Sequence, residues 1–235
     1  MAQLKRDILP VALTQSPVNR TVLNTRLGSI ITAFPDNNFP ISAIHEFILS
    51  GPEDMSATTG FISGLLASLM PDTGVSIWIS SKNAIFPPAL RSFGIKPDKI
   101  IFIRLRKEKE ILWAMEEALK CKGLTAVIAE VSDLHFTASR RLQLAVEKSQ
   151  VTGFILHHDP KTLQTTACNT RWKIKSLPGQ IKNKMPGVGH PCWHIELLKV
   201  RNGSPGNWQI EFVAGQFRQI SQMAALTPEL RKKTG

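Results

Sequence analysis

The chain of 235 residues contains no tyrosine, and its three cysteines, Cys121, Cys168 and Cys192, stand far apart. Without a C-x-x-C pair, the usual spacing of a structural zinc site and a dense disulfide framework are both excluded. Reduced thiols are the expectation. No stretch approaches the roughly 18 apolar residues of a spanning helix. The opening MAQLKRDILPVALTQSP lacks the apolar run and small-residue cleavage pattern of a signal peptide. A cytoplasmic protein without membrane contact is therefore expected. No serine sits in a G-x-S-x-G nucleophile motif, and there is no internal repeat or low-complexity block. Acids are scarce: 18 Asp and Glu face 29 Lys and Arg, for a net charge of +11 and a pI near 9.9. That balance favours an acidic partner such as nucleic acid. What is present is globular in kind, with 43% hydrophobic residues and a mean hydropathy of −0.04, so a normal core can form.

Residues 1 to about 40 are basic, broken by prolines, and read as an arm with one short helix at most. An alternation follows. Strands are predicted over Ile44–Leu49, Val75–Ser80, Lys99–Arg104, Leu124–Glu130 and Gly153–His157. Helical spacing fills the gaps over Thr58–Met70, Pro87–Phe93, Glu108–Lys120 and Thr137–Lys148. Strands that are short and apolar on both faces, alternating with helices, imply a parallel sheet covered on both sides. After His158 strands follow one another directly, over Ala167–Ile174, His194–Arg201 and Trp208–Val213. Turn signals at Leu177-Pro-Gly179, Pro186-Gly-Val-Gly189 and Asn202-Gly-Ser-Pro-Gly206 separate them. These strands are expected to extend one edge of the sheet in antiparallel fashion. The tail from Arg218 is polar and basic.

Between the first strand and the first helix of that alternation lies GPEDMSATT, residues 51–59. It has the frame of a phosphate loop, G-x-x-x-x-G-K-[ST], in the strand-to-helix context where backbone N–H groups meet an anion. Gly51, Pro52, Glu53, Thr58 and Thr59 keep the frame. Ser56 replaces the second glycine and Ala57 the lysine. Losing that charge-assisted contact costs about 1.5–3 kcal/mol of binding, and Asp54 adds a negative charge beside a site for anions.

This stretch resembles the RecA recombinase loop GPESSGKTT. The resemblance continues in order along roughly residues 40–217. Lys82 stands where RecA proteins carry the catalytic glutamate. Glu130 falls at the metal-binding aspartate and His158 at the nucleotide-sensing glutamine. LKVRNG (198–203) followed by WQIEF (208–212) is similar to RecA's VVKNK…FQI. Two departures put hydrolysis and RecA's grip on DNA in question: the chain from Glu130 to Phe154 is mostly one helix, and Asp159–Thr166 is short where a second DNA-binding loop belongs. A closer similarity is to the ImuA family, RecA-like proteins of bacterial inducible-mutagenesis cassettes. The runs FPISAIHEFILSGPEDMSATTGFISGLL, WISSKNAIFPPALRSFGI, LWAMEEALKCKGL, FTASRRLQLAVEKS and HIELLKVRNGSPGNWQIEF carry it. The resemblance implies a non-catalytic accessory factor whose partners are an ImuB-like polymerase-related protein, RecA and an error-prone DNA polymerase complex. It implies no working cofactor site, with ATP or ADP binding without hydrolysis left open.

Other residues bear two readings. Lys161, Arg171, Lys173, Lys175, Lys182 and Lys184 form a stretch without acids, with Trp172 and Trp193 interleaved. Cations tracking phosphates and a tryptophan stacking on a base would suit single-stranded DNA; an exposed basic face over core tryptophans fits the same alternation. His157-His158-Asp159 ends a strand, where ligands of α/β sheets gather, but strand neighbours point apart and no metal site is expected. Cys192-Trp-His194 has no matching ligand pair and reads as structural. Of Ser139-Arg-Arg141, one arginine is free to pair with an acid or a partner.

The expectation is thus a RecA-like α/β domain over 41–217, with a mostly parallel sheet and antiparallel C-terminal strands, an arm over 1–40 and a tail over 218–235. The expected role is an inactive adaptor in SOS mutagenesis and translesion synthesis. A DNA-repair NTPase and a cell-division inhibitor of the SulA type are the alternatives.

Overall fold

A computed structural model describes residues 20–70, 74–82, 85–160, 162–179 and 189–220. One sheet of nine strands organises them: β1 (Ile44–Leu49), β2 (Val75–Ser80), β3 (Ile100–Arg104), β4 (Leu124–Val131), β5 (Thr152–His158), β6 (Thr170–Leu177), β7 (Cys192–Val200), β8 (Gly206–Val213) and β9 (Gln216–Gln219). Their order is β3-β2-β4-β5-β1-β6-β7-β8-β9. From β3 to β6 every pair is parallel. From β6 to β9 every pair is antiparallel. The sheet is the one expected from the alternation, except that β9 lies outside the predicted strands and that β4 to β8 each extend one to three residues beyond their predicted bounds.

Among the described residues, four α-helices pack on it: α1 (Arg20–Leu27), α2 (Pro52–Leu69), α3 (Glu108–Leu119) and α4 (Phe136–Ser149). Helix α2 covers one face. Its Phe61, Ile62, Leu65 and Leu69 join Phe47, Phe154, Trp172 and Trp193 in the larger core. Helices α3 and α4 cover the other face through Ile111, Met115, Leu142 and Val146, over Ile44, Val127 and Ile155. Two glycines one turn apart let α2 sit close to the antiparallel strands. A methyl group on Gly60 would lie 2.8 Å from the Trp193 ring, and one on Gly64 would lie 2.6 Å from the Phe217 ring.

The expected arm does not begin outside the body. From α1 onward, Leu23, Leu27, Ile30, Ala33, Phe34 and Phe39 are buried in the larger core. Gly28 makes the turn after α1 with φ +57, and its Cα faces the Phe217 carbonyl closely enough to leave no room for a side chain. Residues 20–40 are therefore part of the domain, because their spaced apolar side chains find the rim of α2 and β9. Among the described residues, no helix is long and apolar enough to cross a membrane.

Candidate functional site

The segment with the phosphate-loop frame is not a loop. β1 ends at Leu49, and α2 starts at Pro52 rather than near Thr58. Proline suits the first helical position because its missing N–H has no helical partner to lose. Glu53 and Asp54 fill the first turn, where carboxylates favour the helix dipole. Asp54 Oδ2 accepts the Ser50 N–H at 3.0 Å, and the Met55 N–H already donates to the Gly51 carbonyl at 3.2 Å. Beyond that point the N–H groups are held inside the helix. A phosphate cradle needs several successive N–H groups turned outward. Here the first turn offers few, under two acidic side chains. Ala57 and Thr58 are buried, and Thr58 Oγ1 has no partner among the described residues. The arrangement does not fit the phosphates of a nucleotide.

The other positions matched to ATPase chemistry divide. Glu130 is buried at the end of β4; it accepts the Trp78 Nε1–H at 3.1 Å and lies 3.6 Å from His158 Nε2. The structure thus brings Glu130 and His158 together. Lys82 stands apart, exposed after β2, with its carbonyl accepting the Ser80 hydroxyl.

The basic stripe on β6 changes meaning most. Trp172 is 0% exposed, packed against Phe34, Phe47 and Phe61. It cannot stack on a base. Trp193 is buried as well. Arg171 is drawn inward: its Nε donates to Glu46 Oε2 at 2.9 Å, and its Nη2 to the Gln164 carbonyl at 2.6 Å. Lys173 is half-buried opposite Glu196 on β7, and Lys175 is exposed opposite His194. Lys161, Lys182 and Lys184 lie outside the described residues.

At the centre is Glu46, which sequence reasoning missed. It is fully buried on β1, between β5 and β6. His157 Nδ1 donates to it at 2.9 Å and the Thr166 hydroxyl at 2.8 Å, alongside Arg171. Burial by itself would raise the Glu46 pKa; the hydrogen bond from His157 and the charge of Arg171 outweigh it and hold the pKa below the ordinary value. Beside it, burial and then the Glu46 charge push the Cys168 thiol up to about 12, so it is no nucleophile. Lys199 Nζ donates to the Thr166 carbonyl at 2.7 Å. The β5–β6 connection, where a RecA-type DNA loop would lie, is thereby fastened to the sheet. The signal was available: a carboxylate inside the apolar strand IHEFIL must find partners, since an unpaired buried charge is prohibitively costly.

The parallel edge of the sheet, at β3, is left open. Among the described residues, β3 pairs only with β2. Its Ile101 and Phe102 are 49% and 42% exposed, and Trp113 on α3 is 64% exposed. An apolar strand with unpaired backbone groups is a template for another strand.

No family model matches the chain. Protein ImuA from two strains of Caulobacter vibrioides is 33% identical over 220 residues, covering 86% of this chain and 90% of the relative. Among solved structures, the RadB recombinase superposes with a TM-score of 0.56 at 13% identity, over 84% of this chain and 99% of RadB. SulA from Pseudomonas aeruginosa superposes with a TM-score of 0.42 at 20% identity, over 51% of this chain and 99% of SulA. The RadB superposition is a likeness of fold and agrees with the RecA-like sheet.

Proposed function

The chain belongs to the ImuA family, and on that premise we propose that it is a non-catalytic RecA-like adaptor in SOS-induced mutagenesis and translesion DNA synthesis. Its partners are an ImuB-like polymerase-related protein, RecA and the error-prone polymerase complex. The observation that supports this reading best is the unbroken helix from Pro52, which takes the place of a phosphate cradle. Ala57 and Lys82 point the same way, since neither can do the work of the lysine and glutamate they replace. The open β3 edge supplies a surface for a partner strand, with main-chain hydrogen bonds for affinity and Ile101 and Phe102 for side-chain pockets. Delivery to single-stranded DNA then falls to the partners, because Arg171 and Trp172 are engaged inside the fold.

The test pairs two measurements. Tagged protein is captured from DNA-damaged cells after nuclease treatment, and purified protein is assayed for ATP turnover. We expect the polymerase-related partner or RecA in the capture, its loss in the Phe102→Asp variant, and no turnover. ATP hydrolysis abolished by Glu130→Gln would overturn the reading in favour of a repair NTPase. Capture of the division machinery instead would favour an inhibitor of cell division.

A further inference from the structure

The chain carries +11, and the β6 stripe presents little of it outward. A second concentration lies on the far face, where the C-terminal end of α3 and the residues just after it meet the middle and end of α4 and leave a cleft of about 370 Å³. Lys120, Lys122, Arg141 and Lys148 line it with Glu116, and Glu117 next to it also pairs with Lys120, at 2.6 Å. Glu116 is mostly covered and pairs with Arg141 across the helices and with Lys120 at 3.3 Å. It therefore holds two cations side by side at the mouth. The floor is apolar: Leu144 is 41% exposed there, next to Ala145. None of the lining residues is aromatic, so the cleft has no platform on which a base could stack.

We propose that this cleft docks a short acidic segment of a partner protein that carries an aliphatic anchor. Arginine and lysine heads around the rim meet the carboxylates, with the planar Arg141 guanidinium suited to a paired contact. Leu144, with the lysine stems around it, meets the anchor. The cleft lies on the face covered by α3 and α4, and its occupancy does not depend on whether the protein is an adaptor or an NTPase.

The probe is a fluorescein-labelled acidic peptide with a central leucine pair, titrated into the full chain by fluorescence anisotropy. Controls are the same peptide with serines for leucines, and a labelled thymidine oligonucleotide. The leucine peptide should bind more tightly than the serine peptide, and its affinity should fall as salt rises. Lys148→Glu should weaken it roughly three- to tenfold at low salt, and Leu144→Ser by a similar factor. Lys148 and Leu144 are exposed, so both variants should melt near the parent temperature, which circular dichroism checks. Absence of binding, equal binding of both peptides, or affinity unchanged by Lys148→Glu each overturns the proposal. An oligonucleotide that binds more tightly than the peptide and is weakened by Lys148→Glu also overturns it, assigning the cleft to nucleic acid.

Discussion

Mild acid should weaken this fold through His45. The imidazole is fully buried on β1, stacked between Phe39 and Phe154. Its Nε2 lies 2.9 Å from the Pro40 carbonyl, which can only accept, so the proton belongs on Nε2. Nδ1 then accepts from the Thr170 hydroxyl at 2.8 Å, and Thr170 Oγ1 accepts the Trp172 Nε1–H at 2.6 Å. The chain of donors runs one way and has no place for a second proton on the ring. Burial pushes the pKa from 6.5 down to about 3, only partly opposed by the bond to Pro40. Between those values the unfolded chain binds a proton that the fold refuses, so stability falls as pH falls through 6.5 and goes on falling toward 3. At pH 5, some 1.5 units below 6.5, the loss is about 2 kcal/mol at 1.36 kcal/mol per unit. For a chain of this size that is a drop of roughly 4–8 °C in melting temperature. Urea unfolding between pH 7 and 5 should show this slope in the parent protein and lose it in His45→Gln. The Glu46 carboxyl does not interfere, because its lowered pKa affects stability only below its ordinary 4.5. Parallel pH profiles for parent and variant would refute the reasoning.

Four further outcomes follow from the same packing. Arg171→Ala leaves the Glu46 carboxylate buried with a weakened shell and should destabilise the protein by about 3–5 kcal/mol in urea titration, well beyond any surface lysine variant. Gly60→Ala drives a methyl group against Trp193 and should cost about 1–3 kcal/mol, read as a shift of the denaturation midpoint. With a thiol reagent under native conditions, Cys121 should react quickly, whereas Cys168 and Cys192 should wait for unfolding, since only Cys121 is exposed. Above pH 9 the unfolded chain gives up the Cys168 proton while the fold keeps it to about 12. Stability should therefore fall by about 1.4 kcal/mol for each unit of pH in that range, and Cys168→Ala should remove the effect.

Much of the parallel sheet was readable because its strands are apolar on both faces and bounded by turn residues. Val75–Ser80 and Ile44–Leu49 were placed residue for residue. The misreadings share a cause, which is that a local pattern was settled by distant packing. The motif frame set the predicted helix start at Thr58; Pro52 and the two acids behind it settled it earlier. Arg-Trp-Lys-Ile-Lys reads as an exposed basic strand next to a hidden face, and the tryptophan did go inward. Nothing in that stretch says that Arg171 would be claimed by a glutamate 125 residues earlier. β9 escaped notice because its four residues, QFRQ, carry one apolar side chain, Phe217, whose site on α2 exists only once the helix is in place.

The position of β1 also sets the order in which the chain can become a protein. It emerges from the ribosome first among the strands, yet both its neighbours, β5 and β6, come more than a hundred residues later. Until they arrive, the strand IHEFIL has a buried acid with no cation and a histidine with no threonine. β2, β3 and β4 can pair meanwhile, but the middle of the sheet stays open. Its closure is a long-range event of the kind that slows folding, and it gathers Glu46, His157, Thr166 and Arg171 in one step. During synthesis the half-made sheet therefore presents two bare edges, and the same unpaired strand that will become its centre is the segment most in need of protection.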